Sequence, residues 1–240
     1  MEALVFDIRV NSLYSIRIPF TWQSALTYPV LPPSAVIGLL ANALQRHKNN
    51  THPLKYLDLI ENDLLWAGSR LLTPCVMKSY TTSAIVKWED TLGGKFTNAL
   101  GRQFAYSKRL QIAAIFNNGI FISNIAEALR TSPLTCGDSE SPISLDSETM
   151  IKAVADIKDE TIQTEYPVPF TKDTKIEDGN GLVYLMHERC KKSGTSFPLE
   201  SYMVPVREEQ NILKPSSLTV KVSDQKVFAI KGIGNVLSKR

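Results

Sequence analysis

The run Tyr28-Pro29-Val30-Leu31-Pro32-Pro33-Ser34-Ala35-Val36-Ile37-Gly38-Leu39-Leu40-Ala41-Asn42-Ala43-Leu44 sets a loop, a helix start and a small-residue helix face side by side. Three prolines hold the approach extended, because each ring fixes φ. Ser34 is then the expected cap, its hydroxyl accepting from the free N–H groups of the first turn. Val36, Ile37, Leu40 and Leu44 recur at helical spacing and predict a helix with one buried stripe. Gly38 costs that helix about 1 kcal/mol relative to Ala, which points to close approach of another backbone.

Outward from this stretch the pattern alternates between strands and helices. Glu2 to Val10 reads as a first strand, and residues 11–33 form a connection longer than compact domains usually carry without a functional reason. After the Ser34 helix, Leu54 to Leu65 predicts a short second helix. Arg70 to Thr82 and Phe104 to Phe116 read as the second and third strands. Ser123 or Asn124 starts a helix through Arg130, and Ile143 to Leu145 supplies a fourth strand. Strand, helix, strand, strand, helix, strand is the ferredoxin-like, RNA-recognition-motif-like order of an α+β fold, with one sheet face left open. On such faces aromatic residues stack unpaired bases. Gly101-Arg102-Gln103-Phe104-Ala105-Tyr106 is only a partial echo of that aromatic motif, and ordinary half-buried sheet positions explain Phe104 and Tyr106 better than base platforms do.

Between the second and third strands, Ser83 to Gln103 is too long for a turn. Ala84 to Trp88 is strand-like, and Gly93-Gly94 supplies the positive φ of a hairpin tip, so residues 83–103 predict a projecting hairpin. The division expected is 1–147 for the ferredoxin-like domain with this insertion and 148–240 for a smaller β-rich region. In the latter, Gly181 to Met186, Phe197 to Val206, Leu218 to Val222 and Val227 to Ile230 read as strands, the last two joined as a hairpin at Ser223-Asp224.

The Tyr28 to Leu44 stretch, together with Cys136-Gly137-Asp138-Ser139-Glu140-Ser141 and the apolar Ile143 and Leu145 after it, resembles the signature of the CRISPR-associated protein five family. That resemblance implies a repeat-associated RNA-binding subunit that caps the 5′ handle of the CRISPR guide RNA in a type I Cascade complex for antiviral defence. It implies two protein neighbours, the Cascade backbone subunit and the Cascade large subunit, with target DNA met only through the complex. It also makes the inserted hairpin a thumb folded over the guide RNA. Under this reading Lys78, Lys87, Arg102, Lys108 and Arg109 contact phosphates, and Trp88 and Phe96 reach the bases. One branch of the family cuts repeat RNA without metal through tyrosine, lysine and histidine. Arg46-His47-Lys48 with Tyr28 or Tyr56 supplies the residue types, but not that branch's arrangement, and the three also suit the negative end of a helix dipole. The metal-independent endoribonuclease is therefore the alternative to a non-catalytic role.

Charge is consistent with an anionic partner. Residues 70–129 hold seven Lys/Arg against three Asp/Glu, and residues 211–240 hold six against one, whereas 130–210 are acidic at nine against fifteen. Cys75, Cys136 and Cys190 are odd in number and widely spaced, so neither a disulfide framework nor a zinc site is expected, and a reducing cytoplasm fits. No apolar run reaches membrane-spanning length. Motifs for nucleotide, metal or nucleophilic-serine chemistry do not occur, and no cofactor, metal or catalytic residue is assigned.

Overall fold

The computed structural model describes residues 1–21, 24–89, 94–137, 141–172, 174–191, 197–222 and 225–239, with the backbone alone for 82–89 and 94–100. The chain begins with β1 (Glu2–Val10), a short β2 (Ser24–Ala25), α1 (Pro33–Lys48) and α2 (Pro53–Asp63). There follow β3 (Leu64–Leu71), β4 (Cys75–Glu89), β5 (Gly94–Ser107), β6 (Arg109–Phe116) and α3 (Ile122–Thr131). The remainder is strand: β7 (Leu134–Thr135), β8 (Pro142–Leu145), β9 (Met150–Ile157), β10 (Thr161–Thr164), β11 (Val168–Pro169) and β12 (Lys175–Gly179). Last come β13 (Gly181–His187), β14 (Leu199–Glu209), β15 (Ile212–Pro215), β16 (Leu218–Lys221), β17 (Lys226–Ile230) and β18 (Gly234–Ser238). The protein is thus mostly sheet with three helices among the described residues, and none of those helices is long and apolar enough to cross a membrane.

In the first sheet, β8, β1, β6 and β3 lie side by side, every neighbour antiparallel. The alternate residues Leu4, Phe6 and Ile8 of β1 and Leu110, Ile112 and Ala114 of β6 turn toward α1 and α3. The expected stripe of α1 meets them: Val36, Ile37, Leu40 and Leu44 are buried. Burial of each such side chain stabilises the fold by about 1.5–3 kcal/mol, so truncating Leu40 to Ala is the single change best placed to loosen this layer.

Two details of that helix differ from the sequence reading. The cap is Pro32, with no side-chain hydrogen bond, because Pro33 sits at the first helical position, where its missing N–H costs nothing. Ala35 and Val36 donate instead to the Pro32 carbonyl at 2.9 and 3.1 Å, and Ser34 lies inside the helix. Gly38 touches no neighbouring backbone: a Cβ there would meet nothing within 4 Å, since it lines a groove of about 390 Å³ beside Leu134 and Gly137. At the other end Asn49 adopts the left-handed conformation and donates to Gln45, and Arg46, His47 and Lys48 occupy the last turn, complementing the dipole.

The second and third strands each divide. Leu72 to Pro74 separates β3 from β4, and Lys108 separates β5 from β6. Ser107 and Thr73 hydroxyls meet at 3.0 Å, Ser107 donates to the Thr73 carbonyl, and Leu72 N–H donates to Arg109. This pinch sends the chain out of the first sheet into the second and back. The hairpin is accordingly longer than residues 83–103: β4 and β5 pair from Cys75 with Ser107 up to Glu89 with Gly94, with a bulge between Ile85 and Lys87. Its tip at 90–93 lies outside the described residues, as do Asp138 to Glu140.

Of the strands after residue 147, most extend the two large sheets and three form a small sheet of their own. β9 pairs with β1 beyond β8, and β17 and β18 continue that sheet. In the second sheet the order is β11-β14-β15-β4-β5-β2, with β13 also on β14. A small third sheet runs β10-β16-β12. The expected hairpin between 218–222 and 227–230 is not formed: β16 pairs with β10 and β12, and β17 pairs with β9 and β18, so the two strands belong to different sheets. The face of the first sheet away from the helices is also not open. Ala3, Val5, Ala113 and Ile115 are fully buried beneath Tyr166, Phe228, Ile230 and Val236.

Candidate nucleic-acid interface

Exposed aromatic and basic side chains meet on the second sheet, where the hairpin leaves the body. Period-two alternation and the β4–β5 register assign their faces. Lys78 opposes Phe104, Tyr80 opposes Arg102 and Val76 opposes Tyr106, so these six share one face. Tyr80 is 52% exposed and Tyr106 42%, against an average expectation of burial for rings in a sheet centre. The Tyr80 and Phe104 rings meet edge to face at 5.9 Å, and the Arg102 guanidinium lies 4.8 Å over the Phe104 ring. A guanidinium over a ring is attracted to the ring face, which favours its position there.

The opposite face of the same strands is sealed. Cys75, Ala105 and Ser107 are fully buried. Gln103 accepts from Thr27 N–H at 3.1 Å and its carbonyl accepts from Ser15 at 2.9 Å. Tyr14 bridges backbone to backbone with Ala105 and sends its hydroxyl to the Pro29 carbonyl, 2.5 Å away. The proline approach to α1 is pinned a second time by Ser69, whose hydroxyl accepts from Leu31 N–H at 2.8 Å and donates to the Leu31 carbonyl at 3.0 Å. The long connection after β1 thus clamps the hairpin stem to α1, leaving the outward face rigidly supported. Burial raises the Tyr14 hydroxyl well above its ordinary range and pushes the Cys75 thiol up to about 11, so both stay protonated structural groups near neutral pH.

Of the residues expected to bind RNA, Lys78 and Arg102 stand together on this face, and Lys108 is exposed at its lower end. Arg109 points elsewhere: its guanidinium pairs with Asp7 at 3.1 Å and Asp146 at 2.5 Å in the first sheet. Lys87, Trp88 and Phe96 have their backbone in the hairpin arms, and their side chains lie outside the described residues. Tyr80 is not among the expected contacts, and Phe104 and Tyr106 read from sequence as half-buried sheet residues rather than base platforms. The signal was nonetheless in the alternation Lys78-x-Tyr80 and Arg102-x-Phe104-x-Tyr106-x-Lys108.

The histidines are dispersed. His47 Nδ1 lies 2.9 Å from the Thr131 hydroxyl and Nε2 is 4.0 Å from Glu127. His52 accepts from Leu54 N–H and caps α2, and His187 meets the Pro198 carbonyl. Tyr28 is buried, donates to the Leu185 carbonyl and is raised by desolvation.

A family model described as CRISPR-associated protein (Cas_Cas5) matches residues 5–108, which span β1 through the end of the hairpin. No curated protein matches the sequence. Among solved structures, a CRISPR protein from Archaeoglobus fulgidus superimposes over 100% of both chains with a TM-score of 0.66 at 15% identity, and so shares the fold. A chain from a type III-B Cmr-beta complex bound to cognate target RNA and AMPPnP aligns over 92% of this chain and 86% of its own, with TM-score 0.49 and 9% identity. A chain from a CRISPR RNA-guided surveillance complex aligns over 98% and 91%, with TM-score 0.44 and 12% identity. Over residues 5–108, from the first strand to the base of the hairpin, the chain is thus similar to the CRISPR-associated protein five family.

Proposed function

We propose that this protein is the non-catalytic guide-RNA-binding subunit of a type I CRISPR Cascade complex, capping the 5′ handle and lying between the backbone and large subunits in the cytoplasm. The observation that carries the reading is the outward face of the hairpin stem. Three rings and the cations Lys78 and Arg102 share one exposed surface in a chain whose residues 5–108 match this family's model. Stacking platforms flanked by cations are the general means of holding single-stranded RNA. The N-terminal half is read as a ferredoxin-like unit, supported by the antiparallel order β8-β1-β6-β3 with α1 and α3 on one face. The projecting β4–β5 hairpin is its thumb, inserted between the second and third strands of that unit.

The placement of His47 and Tyr28 on different partners supports a non-catalytic role. His47 is engaged with Thr131 and Glu127 at the end of α1, and Tyr28 is buried against Leu185. Metal-free cleavage needs a base, an acid and a cation around one phosphate. The test is purification of the protein with its complex, followed by sizing and 5′-end sequencing of the bound RNA. RNA of one defined length with a constant repeat-derived 5′ end is expected. Absence of such RNA overturns the reading. The isolated protein is expected to leave labelled repeat RNA intact in chelator; specific cleavage lost in His47→Ala makes it the nuclease instead.

A further inference from the structure

The aromatic face does not stop at the hairpin stem. β15 continues the sheet beyond β4, with Ile212 opposite Val76, and β14 continues beyond β15, with Glu209 opposite Ile212 and Arg207 opposite Lys214. Alternation therefore puts Arg207, Glu209 and Lys214 on the same face as Lys78 and Tyr80. Gln210 and Asn211, both at positive φ of 51° and 63°, form the two-residue turn that fixes this register. Lys108 stands at the corresponding level of β5, one residue past the Ser107–Cys75 pair. Arg102 to Lys108 is six residues of strand, about 20 Å at ~3.3 Å per residue. The face thus has cations at both ends and rings between them.

At the lower end one carboxylate bridges two cations. Arg207 Nη2 is 2.6 Å from Glu209 Oε1, and the Lys214 ammonium contacts Glu209 Oε2. All three side chains are well exposed, from 38% to 56%. A backbone phosphodiester offers two oxygens in the same kind of arrangement and the same single negative charge, and cations meet it in the same geometry. Resting on the RNA reading above, we propose that Arg207 and Lys214 form a second phosphate site, in which a backbone phosphate of bound single-stranded RNA displaces Glu209. The guide-RNA track then crosses from the hairpin stem onto the C-terminal strands, and Glu209 acts as a resident competitor that the RNA must replace.

The experiment measures binding of the full-length protein to a fluorescein-labelled single-stranded oligouridine by anisotropy across a salt series. Glu209→Gln removes the competitor while keeping the side-chain shape, and is expected to tighten binding severalfold. A gain of affinity is an outcome that misfolding does not produce. Arg207→Ala with Lys214→Ala is expected to weaken binding and to lower the salt slope by about 0.7 units, the value for one lost phosphate contact on a single strand. If Glu209→Gln binds no better, displacement is overturned. If the Arg207 and Lys214 pair leaves the slope unchanged while Lys78→Ala with Arg102→Ala lowers it, the extension fails and the stem site stands. If neither pair changes the slope, the RNA reading of the whole face fails.

Discussion

The two large sheets each present a face away from the helical layer, and the two faces differ in what covers them. On the first sheet, Ala3 and Val5 of β1 and Ala113 and Ile115 of β6 lie beneath Tyr166, Phe228, Ile230 and Val236. On the second, Tyr80 and Tyr106 face outward with Lys78 and Arg102 among them. Both faces come from strands of similar alternation. Small apolar residues on β1 and β6 admit a close second layer, whereas rings interleaved with cations resist one, because burying cations carries a desolvation cost. An open RNA-binding face on the first sheet is the expectation the ferredoxin-like order invites. In this chain the strands added after residue 147 close that face, and the exposed platform moves to the hairpin stem.

The contrast is sharpest in stability. Ala113→Asp places a carboxylate in the covered face beside Tyr166, and the expected loss exceeds about 4 kcal/mol, since neither partner nor water is available to the charge. Tyr106→Asp, on the outward face, is expected to stay within about 1 kcal/mol of the native value. Urea unfolding of both variants makes the comparison, and equal losses would mean that the two faces are not differently covered. RNA binding reverses the ranking. Phe104→Ala removes the ring that Tyr80 and Arg102 both contact and is expected to weaken oligonucleotide binding by about 1–3 kcal/mol, the usual worth of one stacked base, with the salt slope unaltered. A reduced slope with intact affinity at low salt would assign Phe104 to positioning Arg102 rather than to stacking.

Local pattern made part of this legible. The α1 stripe is periodic at 3.6 residues and contacts elements close by, and the Gly93-Gly94 pair between alternating arms announces a hairpin. What was not legible depends on distant partners. The break at Leu72 to Pro74 interrupts an apolar run only because Thr73 meets Ser107, more than thirty residues later. Ser34 resembles a cap until Pro33 takes the first helical position. Arg109 looks like a phosphate ligand within a basic segment, yet Asp7 and Asp146 hold it. Arg207-Glu208-Glu209 ends the acidic segment, and only the pairing of β14 with β15 and of β15 with β4 carries Arg207 and Lys214 to the aromatic face.

The smallest expected effect tests the latch that holds the first face closed. The Tyr166 hydroxyl donates to Gln111 Oε1 at 3.0 Å, Gln111 Nε2 donates to Asp7 Oδ1 at 2.8 Å, and Asp7 in turn accepts from Arg109. This chain of polar contacts begins on the covering segment and ends on β6, beneath a Trp66–Tyr166 edge-to-face contact at 5.4 Å. Tyr166→Phe keeps the ring and its apolar contacts but leaves the Gln111 carbonyl without its donor in a buried setting. The expected loss is about 1–2 kcal/mol: a net hydrogen bond is worth about 1 kcal/mol, and an orphaned buried acceptor adds to that. Because the latch lies on the covered sheet, RNA affinity should be unchanged. A Tyr166→Phe protein that keeps its stability but binds RNA more weakly would instead mean that opening of this face belongs to recognition, and that the division between a closed and a binding face does not hold.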